Sequence, residues 1–261
     1  MKRAVVTRPE GEARRWVSAL QDHGWQALAL PLIVIGPPAD PLPLRQARAR
    51  LSGYDALMFV SAPAVVQFFA GKPWNDADSA GQTRCWAPGP ATARALLAAG
   101  VPSGRIDQPD ADAENFDSES LWRDVGPQVA AGHRLLIVRG QSEAVAASPQ
   151  GNGRDWLAQQ CRARGGSVDW CVAYRRQAPD WSDEERAQAL AASQDGSVWL
   201  LSSSEALDNL GALLPDADWS QARAVATHPR IAQAAARMGF GIIRESRPTL
   251  EDMLLNLESM S

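Results

Sequence analysis

The sequence predicts an α/β protein of two halves, each a parallel sheet flanked by helices. Three observations carry this reading. Short apolar strands alternate with helices along nearly the whole chain, which is the pattern of parallel α/β sheets. The 261 residues leave room for one large domain or two of ordinary size, since single cores stop growing near this length, and two is the reading adopted. Finally, the strand-helix pattern repeats at an offset of about 140 residues. Leu57-Met-Phe-Val-Ser-Ala-Pro-Ala-Val resembles Val198-Trp-Leu-Leu-Ser-Ser-Ser-Glu-Ala-Leu, and Trp86-Ala-Pro-Gly-Pro-Ala resembles Val225-Ala-Thr-His-Pro-Arg-Ile-Ala. Val5-Val-Thr-Arg-Pro echoes Ile137-Val-Arg-Gly in the same order. The alternative is convergent punctuation of unrelated strand-helix units. On the repeat alone, the two halves would divide at roughly residue 130.

Taken in order, residues 4–7 form an apolar strand, and Arg8-Pro9 leads into a helix with the stripe Ala13, Trp16, Val17 and Leu20, ended by Gly24. A strand follows at 25–30, and the proline-rich stretch 36–43 reads as an interdomain linker. Residues 44–51 are helical and 56–60 a buried strand. Ser61 then caps a helix carrying Val65, Val66, Phe68 and Phe69. A polar loop at 71–82 precedes the strand 85–87, which Pro88-Gly89-Pro90 turns into a helix ending at Gly100. Residues 105–115 read as loop, Ser118 as the cap of a helix at 119–125, and 135–138 as an apolar strand that Arg139-Gly140 ends. A helix at 154–164 leads to the strand 168–176, in which Val168, Trp170, Val172 and Tyr174 alternate at period two. Ser182 caps a charged helix with Asp183, Glu184 and Glu185 in its first turn, which suits the helix dipole. Strands at 198–201, 222–226 and 242–244 alternate with helices opened by Ser202-Ser203-Ser204, Thr227-His228-Pro229 and Thr249.

Composition excludes several classes. With 45% apolar and 21% charged residues the chain is an ordinary globular one, and no apolar run approaches the ~20 residues that span a membrane. The first residues carry no signal-peptide core, so the cytoplasm is the expected address. A net charge of −4 argues against a general nucleic-acid binder. Cys85, Cys161 and Cys171 lack disulfide or zinc spacing and read as core thiols, and His23, His133 and His228 form no metal spacing. Neither a dinucleotide fingerprint nor a P-loop is present.

What chemistry the residues offer lies in loops. At Ser61, at Gly89 to Thr92, at Ser202 to Ser204 and at Thr227 a strand ends, small or hydroxylated residues follow and a helix begins, exposing backbone N–H groups to a carboxylate or phosphate. Each alone is equally a cap for stability. Arg8 and Arg139 hold equivalent repeat positions just after strands, where each could fork onto a carboxylate or make an ordinary salt bridge. Tyr174, one of two tyrosines, is a candidate proton donor, with a core tyrosine as the plain alternative. His228 reads first as a cap.

Taken in order, Val5-Val-Thr-Arg-Pro, Phe59-Val-Ser, Ala87-Pro-Gly-Pro-Ala-Thr-Ala, Ser118-Glu-Ser-Leu, Ile137-Val-Arg-Gly, Val172-Ala-Tyr-Arg, Leu201-Ser-Ser-Ser and the Pro-Arg-Ile-Ala helix start resemble the uroporphyrinogen-III synthase family over nearly the whole chain. The individual motifs are short and degenerate, so the specificity lies in their order and spacing. The resemblance implies two α/β domains, residues 1–35 with 174–261 and residues 37–172, joined by a two-stranded antiparallel linker that fits 32–35 and 172–174. The active-site cleft would lie between the domains and the linker would act as a hinge. It further implies a monomeric, cofactor-independent enzyme that closes hydroxymethylbilane to uroporphyrinogen III with loss of water and inversion of the last pyrrole. Tyr174 would be catalytic, and Arg8, Ser61, Gly89, Thr92, Ser118, Arg139, Ser203 and Thr227 would bind the substrate's carboxylates. Hydroxymethylbilane synthase is the expected transient partner, with no metal, nucleic acid or membrane involved. His228 beside Thr227 departs from the family pattern, where a second small hydroxyl residue is common. A two-lobed binding or sensor module is the competing reading. A sugar-nucleotide transferase is less well supported, since no diphosphate-binding motif is found.

Overall fold

Two sheets with buried central strands make up this computed structural model, which describes residues 2–75, 82–110, 117–142 and 155–260. In chain order, β1 (Arg3–Val6), α1 (Glu10–Asp22) and β2 (Gln26–Ala29) are followed by β3 (Val34–Gly36), α2 (Leu42–Ala49), β4 (Ala56–Phe59), α3 (Ala62–Phe69), β5 (Arg84–Trp86), α4 (Pro90–Ala98) and β6 (Ile106–Asp107). Then come α5 (Ser118–Val125), β7 (Arg134–Ser142), α6 (Trp156–Ala163) and the long β8 (Ser167–Gln177). The chain closes with α7 (Asp183–Gln194), β9 (Val198–Leu201), α8 (Ser204–Leu213), β10 (Arg223–Ala226), α9 (Pro229–Met238), β11 (Ile242–Glu245) and α10 (Leu250–Ser259). Every residue of β4 and β9 is buried, as expected of strands covered on both faces.

Two compact units result, Met1–Val34 with Gln177–Ser261, and Ile35–Arg176. No division falls at the point the repeat suggested. Strand β1 pairs with β9, so the end of the chain completes the sheet that its beginning started.

In the first unit the order is β11-β10-β9-β1-β2, all parallel. Ala13 and Leu20 of α1 and Met253 and Leu257 of α10 cover one face with Val6, Leu200 and Val225. Trp199, Trp219 and Phe240 pack together elsewhere in this unit, with Trp219 and Phe240 stacked at 5.0 Å between centroids. Ser182 and Glu185 form the full capping box at the start of α7.

In the second unit the order is β3-β8-β7-β4-β5-β6, and the pairs from β8 to β6 are parallel. Phe59, Leu136, Val138 and Cys171 face α3 and α4, while Met58, Leu135 and Ile137 face α5 and α6. Thus the helices lie on both sides of each sheet.

Local differences from the sequence reading have local causes. The supposed linker at 36–43 contains the end of β3 and the start of α2, because Pro43 is tolerated in a first helical turn. Ser118 does not cap α5: Asp117 does, accepting from Ser120 N at 2.8 Å, and Ser118 is the first helical residue. Strand β7 does not end at Arg139-Gly140 but runs on to Ser142. Residue 154, taken as the start of a helix, lies outside the described residues, as do the middle of the 71–82 loop and part of the 105–115 loop.

Candidate active site

In each sheet the chain reverses its direction of travel once. From β4 it moves through β5 to β6 on one side, and from β7 to β8 on the other, so the loops after β4 and β7 part company. The first unit does the same between β1, which leads to β2, and β9, which leads to β10 and β11. Such switch points open a crevice outside the carboxyl ends of the strands, where open α/β sheets hold ligands.

At the switch point of the second unit stand Ser61, after β4, and Gly140, within β7. Ser61 is the N-cap of α3, and its Oγ accepts from Ala64 N at 3.4 Å. The same Oγ lies 3.2 Å from the hydroxyl of Tyr174. Strict alternation along β8 would have put Tyr174 on the face of Val168 and Trp170. Instead the register passes from Arg139 opposite Val172 to Gly140 opposite Tyr174, so Ala173 is an extra residue in β8. This bulge turns Tyr174 to the other face, among Phe59, Ala64 and Val65, where its ring is only 3% exposed. The sequence did contain a signal for it: a glycine inside a strand marks a bulge or a close approach.

Gly89 follows the neighbouring strand β5 and caps α4 with an extended backbone. Thr92, in the first turn of α4, is buried, and α4 packs beside α3. Ser61, Gly89, Thr92 and Tyr174 are therefore gathered at one end and one face of the second sheet. Arg139 is not with them. Its side chain falls on the opposite face, 3% exposed, with the guanidinium 3.8 Å above the Trp170 ring and Nη1 3.3 Å from Asp155 Oδ1. Burial lowers its pKa, and Asp155 opposes that shift. The expectation of a carboxylate-binding Arg139 gives way to an ion pair between elements, because in β7 the residues 135, 137 and 139 share the face of α5 and α6. Ser118 likewise belongs to α5, on that second face.

In the first unit Arg8, Ser203 and Thr227 follow the adjacent strands β1, β9 and β10. Arg8 lies 4.4 Å over the Trp16 ring and bonds Glu12 through Nη1 at 2.9 Å, while Nη2 is buried without a hydrogen-bond partner among the described residues. Ser203 occupies the cap position of α8 but makes no side-chain cap bond, and Ser204 Oγ is buried without a partner among the described residues. Thr227 precedes the true cap of α9, His228, whose Nδ1 accepts from Arg230 N at 3.1 Å. Sequence reasoning missed Thr7, whose buried hydroxyl donates to Leu200 O at 2.7 Å and ties the β1 end to β9.

All three cysteines are buried, and burial pushes the Cys171 thiol up to about 12. Among the described residues no three His, Cys, Asp or Glu side chains are placed to hold a metal ion, and no helix is long and apolar enough to cross a membrane.

Comparison with known proteins is consistent with this geometry. The family model described as "Uroporphyrinogen-III synthase HemD" matches residues 14–254. A curated uroporphyrinogen-III synthase of Escherichia coli is 30% identical over 264 residues, covering 96% of this chain and 97% of that protein. One from Synechococcus elongatus is 30% identical over 194 residues, which is 72% of this chain and 66% of that protein. A crystal structure of the Helicobacter pylori uroporphyrinogen-III synthetase shares the fold, with a TM-score of 0.58, 14% identity and full coverage of both chains.

Proposed function

Because the chain belongs to the uroporphyrinogen-III synthase family, we infer that it closes the linear tetrapyrrole hydroxymethylbilane to uroporphyrinogen III, within tetrapyrrole biosynthesis. The family match weighs against a sensor module. In the structure, the observation that carries the reading is the Tyr174 hydroxyl held against Ser61 at a sheet switch point.

The chemistry asks for a proton and an orientation. As the terminal C–O bond breaks, Tyr174 gives its proton to the departing hydroxyl, which leaves as water, and the bilane becomes an azafulvenium-like cation. The substituted carbon of the last ring attacks that cation to give a spiro intermediate. One bond of the spiro centre then breaks, the inverted ring recloses, and loss of a proton restores the pyrrole. Hydroxymethylbilane also closes unaided to the non-inverted isomer, so the protein must hold one folded conformation of a flexible chain bearing eight carboxylates. Backbone donors at Ser61, Gly89 and Thr92, with Arg8, Ser203 and Thr227 in the first unit, suit that task, since each loop opens a helix. Ser61 serves twice, as cap of α3 and as the partner that fixes the phenol.

We take the two compact units, Met1–Val34 with Gln177–Ser261 and Ile35–Arg176, as the domains, the cytoplasm as the site of action, and hydroxymethylbilane synthase as a transient donor of the labile substrate. The decisive experiment supplies the purified protein with enzymatically generated hydroxymethylbilane, oxidises the product and separates isomers I and III. Isomer III in excess supports the reading, and isomer I at the unaided rate overturns it.

A further inference from the structure

We propose that Gly140 is a positioning residue of this reaction: its bare backbone is the seat on which the Tyr174 ring lies, and it sets where the phenol delivers its proton. The proposal rests on the reading of Tyr174 as proton donor. Gly140 is buried in β7 directly opposite Tyr174 in the register. A Cβ added at 140 would fall 2.3 Å from Cζ, 2.5 Å from Cε2 and 2.7 Å from Cε1 of Tyr174. These are the atoms at the hydroxyl end of the ring, so the collision would fall under the reacting group itself. The backbone gives no separate reason for glycine, because Gly140 is not among the glycines with positive φ.

The ring has little room to yield. Phe59, Ala64, Val65 and Ala173 belong to the same buried cluster as Tyr174. Any Cβ at 140 must therefore shift the hydroxyl by roughly an ångström and loosen its 3.2 Å contact with Ser61, a displacement that costs a positioned catalytic group on the order of 10²-fold. The extra residue at Ala173 and the missing side chain at Gly140 thus act together, the one choosing the face and the other the depth of the phenol.

The test exploits the presence of only two tyrosines, Tyr54 and Tyr174. Protein labelled with 3-fluorotyrosine gives two fluorine resonances, assigned with Tyr54→Phe. Gly140→Ala should move the Tyr174 resonance and leave that of Tyr54, and lower kcat by about 10- to 100-fold with KM within about threefold. In a Tyr174→Ala background the same change should cost nothing further, since the ring it strikes is gone. If Gly140→Ala does not fold, recovery of folding in the Gly140→Ala/Tyr174→Ala pair supports the clash, and failure of the pair overturns the proposal. An unmoved resonance beside a slow Tyr174→Phe overturns the positioning role alone. A fully active Tyr174→Phe removes the proton-donor reading, and the positioning role falls with it. A moved resonance with unchanged turnover overturns it as well.

Discussion

The hydroxyl of Tyr174 and Oγ of Ser61 stand 3.2 Å apart across 113 residues of sequence, joined because β8 and β4 flank the same strand, β7. Tyr174→Phe removes the phenolic proton and keeps the ring that fills the core. Turnover should fall about 10²- to 10⁴-fold, the span of general acid catalysis, with little change in KM and a melt close to that of the unmodified protein. The residual product should remain mostly isomer III, since the loops proposed to hold the carboxylates are untouched. Near-normal turnover in the folded variant would leave orientation as the whole of catalysis.

Ser61→Ala deletes both a helix cap and the phenol's partner. Denaturant melts should show a loss of about 1 kcal/mol for the cap, and steady-state kinetics a loss of about tenfold for the freed phenol. Thr92→Ala and Ser203→Ala each remove one hydroxyl among many donors, and each should cost about tenfold or less. A larger effect at Ser203 than at Ser61 would contradict this ranking.

Arg8 and Arg139 should separate cleanly. Arg139→Met uncovers the Trp170 ring and strands Asp155 at the surface, so it should destabilise by about 1–3 kcal/mol and leave KM of the folded enzyme nearly unchanged. Arg8→Met removes a charged donor whose buried Nη2 has no hydrogen-bond partner among the described residues, and should raise KM about tenfold or more. Thermal melts read beside saturation curves distinguish the two. Equal KM effects would return Arg139 to the binding site.

His133 offers a pH prediction. It stacks on Trp86 at 5.7 Å with Nε2 buried and unpartnered among the described residues, and burial lowers its pKa despite Asp55 4.0 Å from Nδ1. Below the unfolded value of about 6.5 the unfolded chain binds the proton more readily than the folded one. The contribution of neutral His133 is therefore complete above that pH and is lost as the pH falls towards the lowered folded value. Denaturant melts of the unmodified protein and His133→Gln from pH 8 to about 5.5 should show their difference shrinking below about 6.5. A constant difference would contradict the shift.

Extensive chelation and desalting should leave isomer III formation intact, since the motifs found demand neither metal nor nucleotide. Loss of activity restored by added metal would overturn this.

The loops of the candidate site were legible because their signals are local. Apolar period and terminal glycines marked the strands and helices, and Ser61, Gly89, Ser203 and Thr227 announced themselves as helix openings after strands. The motif order supplied the family. Local pattern could not say which strands pair. The repeat pointed to a division roughly at residue 130, yet β1 lies beside β9, because hydrogen bonding joins strands by position in space and period carries no partner. Nor could alternation place Tyr174. Val168, Trp170, Val172 and Tyr174 read as one face until a single unpaired residue, Ala173, turned the tyrosine towards Ser61, and a bulge exists only in the register between two strands. Likewise Arg8 and Arg139 look equivalent along the chain, and each makes one ion pair over a Trp ring, but the fold puts Arg139 on the face of α5 and α6 and leaves Arg8 at a switch point with Nη2 unpartnered among the described residues. By itself, the sequence determined the order of strands and helices, most of their openings and the family they spell. The tertiary structure decided which side chains meet, because that depends on register and face, which long-range pairing sets.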